Sequence, residues 1–429
     1  MNQPNTNRIT KIHARRIWDS RGRPTVEVEV QLADGSIGRG IAPAGASTGS
    51  NEAVELRDRE QAFGGYGVDR AVANVVREIA PALLGMDARE QRQIDEQLIA
   101  LDGTPNKSRL GGNALIASSM AVLDAAAKSA GLPLWKYLAG DAPVTLPLPE
   151  IQIFGGGAHA GRRVDIQDFL VMPVGASSMD EALAMVAEVY RAAGQLMADA
   201  GKRAGVADEG GWWPDFDGNE DALQMLARAI DKAGYRNGEV VISLDIAASE
   251  FGRDGIYRPS LEGRDFTTDE WIDVLLGWVA KYPILSIEDP VAEDDTAGMI
   301  AFTRAAGTSI QVIGDDFLVT NAQRVRDAAA AHACNAVLIK PNQAGTISET
   351  LDALNAAKSL GYSTIVSARS GESECIMISH LSVGWNAGQL KVGSFARSER
   401  MAKWNELLRI EEALGGAARY AGLGVLPLK

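Results

Sequence analysis

The first long pattern in the chain is an alternation of apolar and polar residues over 24–32. A period of two residues is typical of a strand with one buried face. The Asp34-Gly35 pair that follows is a turn signal, and 37–42 then has the pattern of the returning strand of a hairpin. Beyond the small-residue loop 44–50, helical periodicity predicts four helices. They span about 52–62, 69–84, 88–101 and 112–130.

The rest of the chain has a different rhythm, in which short apolar runs each end at a charged residue. The runs recur at intervals of roughly 25 residues, with alanine-rich amphipathic segments such as 322–333 and 348–359 between them. Strand then helix at this spacing predicts a closed parallel barrel, whose strand C-terminal ends face the active site. The charged ends are Asp245, Glu288, Asp315, Lys340, Arg369 and Lys391. We therefore predict an α/β protein with an N-terminal α+β domain over 1–140, a linker at 139–148, and a barrel domain over 141–429.

Composition and charge narrow the function classes. The 429 residues are 46% hydrophobic and 23% charged, an ordinary globular composition that argues against disorder and coiled coil. The net charge of −14 argues against nucleic acid or an anionic membrane as partner, but it allows a small anionic ligand. Cys334 and Cys375 fit neither a disulfide framework nor a metal-binding spacing. Residues 1–16 hold no apolar run and no stretch is long enough to span a membrane, so we expect a cytoplasmic protein.

Three of the charged strand ends are carboxylates. Asp245, Glu288 and Asp315 offer the hard oxygen ligands that Mg²⁺ prefers, and their charges repel one another unless cations join them. The alternative without a metal ion is that these acids pair with the neighbouring lysines and arginine alone. Beside a divalent cation, Lys340 or Lys391 would be pushed towards the neutral form, and a neutral lysine can remove a proton next to a carboxylate.

Two further groups extend this chemistry. Glu209, in the run Asp-Glu-Gly-Gly over 208–211, is an acid that could protonate a departing hydroxide. Arg369 and Ser370 offer a planar fork of donors and a hydroxyl for a phosphoryl group.

Several motifs are long and specific. They are Asp-Ser-Arg-Gly at 19–22, Ala-Gly-Ala-Ser-Thr-Gly at 44–49, Asp-Glu-Gly-Gly at 208–211, Ser-Ile-Glu-Asp-Pro at 286–290, Gly-Asp-Asp at 314–316, Lys-Pro-Asn-Gln-Ala-Gly-Thr at 340–346, Arg-Ser-Gly-Glu at 369–372 and Leu-Leu-Arg-Ile-Glu-Glu at 407–412. Through them the chain resembles the enolase (phosphopyruvate hydratase) family along essentially its whole length. The resemblance implies a modified (β/α)8 barrel of the TIM type with an N-terminal α+β domain, usually assembled as a dimer. It also implies a lyase that eliminates water from a small phosphorylated acid with two Mg²⁺ ions per active site.

Matching the motif positions assigns expected roles to individual residues. The resemblance implies that the metal ligands are Asp245, Glu288 and Asp315 for the first Mg²⁺ and Ser47 for the second. The catalytic set would be Lys340 as general base, Glu209 as general acid, Lys391, His159 in a mobile loop, and Asp168. The substrate would be bound by Arg369, Ser370, Gln167 and Ala46.

The chain departs from the family's usual residues around the substrate. Ala368 stands where the family has histidine, Asp168 where it has glutamate, and Gly155 where it has asparagine. Further changes are Ala44, Pro341, the loop arginines Arg162 and Arg163, and the tryptophans Trp212 and Trp213. None of these changes affects the expected metal ligands, the base or the acid.

Because most of these changes remove volume or polarity, we hypothesise a substrate larger and more anionic than 2-phosphoglycerate. The favoured candidate is carboxyphosphonoenolpyruvate synthase, acting on 2-phosphonoformylglycerate in phosphonate and phosphinothricin-type biosynthesis. The additional carboxylate would then bind in the space at Ala368, next to Arg162 or Arg163. The alternatives are an ordinary enolase of glycolysis, which converts 2-phosphoglycerate to phosphoenolpyruvate, and a non-catalytic enolase-like scaffold. A racemase or cycloisomerase is disfavoured because 164–245 holds no Lys-x-Lys pair.

Overall fold

The computed structural model describes residues 6–46, 48–235 and 238–428. The chain begins with a three-stranded antiparallel sheet that includes the predicted hairpin. The strands are β1 (Ile9–Trp18), β2 (Pro24–Leu32) and β3 (Ile37–Ile41). Val26, Val28 and Val30 on β2 are completely buried, as the alternation predicts for the apolar face of a strand.

One face of this sheet is covered by helices. They are α1 (Asp69–Asn74), α2 (Ala80–Leu83), α3 (Gln91–Asp102), α4 (Gly112–Ser129) and α5 (Leu134–Ala139), with a π-helical turn at Val75–Ile79 between the first two. The central helix α4 packs on β2 and β3, and nearly all of its residues are buried. Its length and apolar character agree with the predicted helix over 112–130.

The helix predicted over 52–62 is wrong, because the structure has only a 3₁₀ turn at Ala62–Gly65 there. The backbone N–H groups of this segment bond to distant carbonyl groups instead of to the preceding turn. Ala53 donates to Gln343 at 2.8 Å and Val54 donates to Asn106 at 2.7 Å. Such tertiary contacts override a local helical preference, which is weak for each residue. The segment is therefore an irregular connection that bonds to both the sheet domain and the barrel.

Eleven further strands and nine helices follow in the described part of the chain. The strands are β4 (Leu148–Gly155), β5 (Asp168–Met172), β6 (Val241–Asp245), β7 (Gly252–Arg253), β8 (Ile256–Tyr257), β9 (Phe266–Thr267), β10 (Ile284–Glu288), β11 (Gln311–Gly314), β12 (Ala336–Ile339), β13 (Ser363–Ser367) and β14 (Gly388–Ser394). Strands β7, β8 and β9 form a small separate sheet, and the other eight close into a barrel. The predicted α/β class and barrel are confirmed.

The strand pattern predicts a fully parallel barrel, and this prediction is wrong for one strand. Strand β5 runs antiparallel to both of its neighbours, β4 and β6, while the other neighbouring pairs are parallel. The connection 156–167 holds only a 3₁₀ turn, Gly157–Ala160, and no crossover helix of the kind that joins parallel strands. Because β4 ends and β5 begins at the same rim, this connection lies at the mouth of the barrel. We call residues 156–163 the lid.

Helices surround the barrel, and several begin where a side chain caps the first turn. The helices are α6 (Met179–Asp199), α7 (Asn219–Ala233), α8 (Thr268–Lys281), α9 (Thr296–Ala306), α10 (Ala322–Ala331), α11 (Pro341–Ala344), α12 (Ile347–Ser359), α13 (Met377–Gly384) and α14 (Ser398–Leu414). Thr267 and Glu270 form a capping box at α8, and Asn321 caps α10. None of the helices in the described ranges combines the length and the apolar character needed to cross a membrane.

The sheet domain closes one side of the barrel mouth. Ala44 pairs with Gly371 through two backbone hydrogen bonds of 2.9 and 2.8 Å, and Ser20 donates to the carbonyl of Glu372 at 2.7 Å. These contacts, with that of Ala53 to Gln343, hold 43–46 and 48–55 near the ends of β12 and β13. The charged residues at the strand ends therefore meet side chains from both parts of the chain.

Candidate active site

The residues expected to act together do meet at the barrel mouth. Asp245 and Glu288 end β6 and β10, whereas Asp315 and Lys340 directly follow β11 and β12. A small cavity of about 20 Å³ lies beside Asp245 and Lys340. Its walls are His159, Gln167, Asp168, Glu209, Asp245, Lys340, Ser367, Ala368, Arg369, Ser370, Lys391 and Val392.

Lys391 neutralises one side of this site. Its Nζ lies 2.8 Å from Asp245 Oδ2, 2.8 Å from Glu288 Oε2 and 3.4 Å from Asp168 Oδ2. Burial alone would lower the pKa of Lys391, but the charges of Asp245 and Glu288 raise it well above its usual value. The lysine is therefore firmly protonated.

Lys340 is paired in the same way on the other side. It donates to Asp315 Oδ2, and Gln343 donates to Asp315 Oδ1 at 2.9 Å. Burial would lower the pKa of Lys340, but Asp315 outweighs it and the pKa is raised. The expectation that Lys340 or Lys391 is pushed towards the neutral form applies beside a divalent cation, and it stays a prediction.

Two acids next to the expected metal ligands were missed from the sequence. Asp289 accepts the backbone N–H groups of Asp315 and Asp316 at 2.9 and 2.8 Å. Ligand atoms of Asp289, Asp315 and Asp316 lie within 4.8 Å of one another. Burial and the charge of Asp315 raise the pKa of Asp289 to about 8. The motifs Glu-Asp-Pro and Gly-Asp-Asp contain both acids, and only their position after a strand end could have drawn attention to them.

The donor set fits a divalent cation such as Mg²⁺. Glu288 Oε1 is buried and has no hydrogen-bond partner among the described residues. Burial and the nearby Asp245 raise the pKa of Glu288 well above its usual value, because another negative charge is unfavourable there. A cation at this point would relieve both conditions. Ser47, the expected ligand of a second ion, lies outside the described residues.

A second cluster forms beneath the lid. His159 Nδ1 lies 3.1 Å from Asp168 Oδ1, and its Nε2 lies 2.9 Å from Ser370 Oγ and 3.7 Å from Glu209 Oε1. All four side chains are buried. Burial alone would lower the pKa of His159, but the charges of Glu209 and Asp168 raise it to about 9. The lid therefore places a protonated imidazole between two carboxylates.

The arginine expected to bind phosphate has a partner from the sheet domain. Arg369 Nη1 lies 2.9 Å from Glu52 Oε2 and 3.2 Å from Asn342 Oδ1, and Nη2 lies 3.2 Å from Glu52 Oε1. Glu52 also accepts the N–H of Gly49 at 2.9 Å. Sequence analysis missed Glu52, and its only signal was its place directly after the loop 44–50. A fork of two donors facing a carboxylate can equally face a phosphoryl group.

Comparison with known proteins agrees with this geometry. The protein-family model of the enolase C-terminal TIM barrel domain matches residues 143–427, and the family model of the enolase N-terminal domain matches residues 9–138. The chain is 52% identical to "Enolase 1" of Desulfitobacterium hafniense over 422 residues, covering 97% of each chain. It is 51% identical to "Enolase" of Acidothermus cellulolyticus over 420 residues, covering 98% of this chain and 97% of that relative. The chain belongs to the enolase family. It is a lyase of that family, as the resemblance implied.

The favoured hypothesis on the substrate is wrong. Relatives that share about half of the residues over nearly the full length are named enolase, which supports the ordinary enolase alternative over a carboxyphosphonoenolpyruvate synthase of phosphinothricin-type biosynthesis. Ala368 lines the cavity at the barrel mouth.

The two loop arginines lie outside the cavity. Arg162 pairs with Glu250, and Arg163 pairs with Asp215 at 2.9 Å. Arg162 is exposed and Arg163 is half-buried, and the charge of each is matched by its acidic partner. The structure therefore does not bring them to the expected substrate position.

The other departures from the usual enolase residues occupy several environments. Trp212 stacks on Tyr190 with ring centroids 4.8 Å apart, so it packs rather than lines the cavity. Gln167 donates to Asp245 Oδ2 at 3.1 Å and lines the cavity beside Ala368. Ala46 is exposed in the loop that covers the mouth.

Proposed function

We propose that this protein is an ordinary enolase, which removes water from 2-phosphoglycerate to give phosphoenolpyruvate in glycolysis. The observation that carries the proposal is one buried cavity lined by Lys340, Glu209, Arg369 and Lys391. These four groups are a candidate base, a candidate acid and two cations for the phosphate and carboxylate of the substrate. The near full-length similarity to two proteins named enolase supports the same function.

In the proposed reaction, Lys340 removes the proton at C2 and Glu209 protonates the hydroxyl that leaves C3. The C2–H and C3–O bonds break, a C2–C3 double bond forms, and the hydroxyl departs as water. His159, whose Nε2 lies 3.7 Å from Glu209 Oε1, keeps the acid within the closed site. Asp168 orients His159 from the other side at 3.1 Å. General acid–base steps of this kind typically contribute about 10² to 10⁴ in rate.

We assign two Mg²⁺ ions to the site, with Asp245, Glu288 and Asp315 as ligands of the first and Ser47 as a ligand of the second. The unpartnered Glu288 Oε1 supports the first assignment. When bound, Mg²⁺ would draw charge from the substrate carboxylate and make the neighbouring C2 proton more acidic.

Phosphate recognition falls to Arg369 and Ser370 in this proposal, with Gln167, Ala46 and Ala368 beside the substrate. Arg369 is bound by Glu52 through two contacts, of 2.9 and 3.2 Å. We therefore expect the phosphate to replace Glu52 at the guanidinium group. This exchange of partners keeps the arginine neutralised before and after the substrate binds.

We further propose a homodimer in the cytoplasm, with a small phosphorylated acid as substrate and neither nucleic acid nor membrane as partner. The family resemblance supports the dimer, and the two free cysteines are consistent with a reducing compartment. Light scattering coupled to size-exclusion chromatography tests the dimer, and a single species with a mass near 45.5 kDa would contradict it.

Turnover of 2-phosphoglycerate tests the function directly. Purified protein with Mg²⁺ and 2-phosphoglycerate should form an enol that absorbs in the ultraviolet, at a rate similar to that of an authentic enolase. Near-zero turnover by folded protein that still binds Mg²⁺ would contradict the proposal.

Isotope exchange separates the roles of base and acid. Lys340→Ala should abolish exchange of the C2 proton with solvent, whereas Glu209→Gln should retain exchange and lose elimination. The exposed Lys281→Ala is a control for removing a lysine from the chain. Exchange that survives in Lys340→Ala would contradict the assignment of the base.

A further inference from the structure

Gln152 is a completely buried residue of β4 to which the proposed reaction gives no role. Its amide nitrogen donates to Asp168 Oδ1, and its amide oxygen accepts the N–H of Gly211 at 2.8 Å. An ionised carboxylate can only accept and a peptide N–H can only donate, so the two partners decide which way the amide faces. A single neutral side chain thus joins Asp168 to the turn that carries Glu209.

That turn is short, and backbone hydrogen bonds hold it both internally and to its neighbours. Ala207 donates to the carbonyl of Gly211 at 2.8 Å, and the carbonyl of Glu209 accepts the N–H of Ser394 at 2.9 Å. The N–H of Asp208 donates to the carbonyl of His159 at 3.1 Å. A displacement of Gly211 would therefore be passed to Glu209 and to the lid.

Two glycines leave the space that the long Gln152 side chain needs. A Cβ atom at Gly211 would lie 2.4 Å from Gln152 Oε1, closer than real Cβ contacts allow. A Cβ atom at Gly155 would lie 3.2 Å from both terminal atoms of Gln152 and 2.7 Å from the Cβ of Ala207. Any side chain at 155, including the asparagine usual in the family, would compete with the amide for this space.

These contacts connect two positions at which the chain differs from the usual residues of the family. Asp168 is one methylene shorter than the family's glutamate, and Gly155 has lost the family's side chain altogether. We propose that Gln152 is a positioning residue that reaches through the space at Gly155 to hold the short Asp168 carboxylate against His159 and, through Gly211, in register with Glu209. This inference rests on the proposed function, because it assigns Gln152 to the acid side of the dehydration.

The placement of Asp168 shows why such support matters. Its Oδ1 is shared between Gln152 and His159, and its Oδ2 lies 3.4 Å from Lys391 Nζ. Without the amide, the carboxylate is free to turn towards the lysine and away from the imidazole. Elimination should then suffer more than proton removal at C2, because His159 and Glu209 lie on the acid side.

A length-exchange experiment tests the proposal. Gln152→Asn shortens the amide by one methylene, and Asp168→Glu lengthens the acid by one. Each single variant should lower kcat for dehydration about tenfold or more, which corresponds to the loss of one buried hydrogen bond to a charged group. The double variant restores the combined length, and its kcat should return to within about threefold of the unmodified enzyme. Losses that simply multiply in the double variant would overturn the proposal.

Two readouts distinguish positioning from a general loss of structure. In Gln152→Asn, exchange of the C2 proton should persist while elimination falls, whereas damage to the whole site would reduce both equally. If Gln152→Asn does not fold, Gln152→Glu serves instead, because an acid there donates to Asp168 only while protonated. Elimination by Gln152→Glu should then decline as the pH rises more steeply than in the unmodified enzyme. A pH profile that coincides with that of the unmodified enzyme would overturn the proposal.

A third readout works without turnover and separates this inference from the proposed function. If the unmodified protein does not dehydrate 2-phosphoglycerate, the proposed function fails. The Gln152 contact is then judged by NMR titration of the four histidines. Gln152→Asn should lower the titration midpoint of His159 and leave the other three unchanged, and Asp168→Glu in the same chain should restore it. An unchanged midpoint for His159 would overturn the positioning role.

Discussion

The two halves of the candidate active site are built from different parts of the fold. The strand-end half consists of Asp245, Glu288, Asp315, Lys340 and Lys391, and the lid half consists of Gln152, His159, Asp168 and Glu209. In the strand-end half, acids and lysines on or next to parallel strands neutralise one another directly. In the lid half, Asp168 and Glu209 lie on either side of His159, and the Gln152 amide binds Asp168. These four residues come from the lid, a turn and the strands β4 and β5. The strand-end half depends on the balance of buried charges. The lid half depends on the lengths of the Gln152 and Asp168 side chains and on the proton of His159.

Removing Lys391 should give the largest change in stability, because it leaves Asp245 and Glu288 as unpaired buried charges. We expect Lys391→Met to lower the free energy of unfolding in the absence of Mg²⁺ by about 3 kcal/mol or more. Saturating Mg²⁺ should restore a large part of this loss, since a cation replaces the ammonium group. Denaturant unfolding with and without Mg²⁺ measures both effects. The exposed Lys281→Met, which breaks a surface pair with Glu220, should cost less than about 1 kcal/mol. Equal losses in the two variants would mean that charge balance does not govern the strand-end half.

The lid half should respond to pH. His159 has a pKa of about 9 in the fold against an ordinary 6.5, because Glu209 and Asp168 outweigh the effect of burial. A raised pKa means that the stabilisation is complete below pH 6.5 and is lost as the pH rises through 9. The loss attributable to this residue should reach about 3 kcal/mol. Unfolding experiments between pH 6 and 10 should show this decline in the unmodified protein and not in His159→Asn. A parallel decline in both proteins would assign the effect to other groups.

The strand-end half could be predicted because one rule places it. An apolar run followed by a charge, repeated at barrel spacing, puts Asp245, Glu288 and Lys340 at one rim whatever the details of packing. The rule does not give the partners of these residues. Glu52 and Asp289 were missed because their positions depend on tertiary hydrogen bonds, which leave no periodic signal.

The lid half was only partly predictable. The reversal of β5 could not be seen from its short apolar run, because a buried strand has the same pattern in either direction. Gln152 was missed because the pattern of an apolar strand does not show which partner a single polar residue within it contacts. The false helix at 52–62 failed for a similar reason, since backbone groups from elsewhere satisfied its N–H donors.

A smaller effect is expected where the sheet domain meets the strand-end half. Glu52→Gln removes the charge that would compete with phosphate for Arg369. We expect inorganic phosphate to bind about fivefold more tightly, equivalent to about 1 kcal/mol. Isothermal titration calorimetry measures the change. The exposed Glu60→Gln in the same segment is a control for net charge, and an equal gain in that variant would contradict a specific competition.

The smallest effect should come from the outer surface of the lid. Arg162 pairs with Glu250 and the half-buried Arg163 pairs with Asp215, and ion pairs near the surface contribute about 0.2 to 1 kcal/mol each. Together they should favour the closed lid, so replacing both arginines with alanine should increase hydrogen exchange of the amides in 156–163 about fivefold. Mass spectrometry of the exchanged protein measures this change.

Salt provides the deciding comparison, because screening weakens exposed pairs far more than buried ones. Raising the ionic strength should accelerate lid exchange in the unmodified protein and have little effect in the double variant. Arg191→Ala, which breaks an exposed pair with Glu188 on α6, should leave lid exchange and its salt dependence unchanged. If lid exchange in the unmodified protein does not respond to salt, the buried contacts of His159 with Asp168 and Ser370 hold the lid without help from the arginines. The lid half would then depend on its buried proton alone.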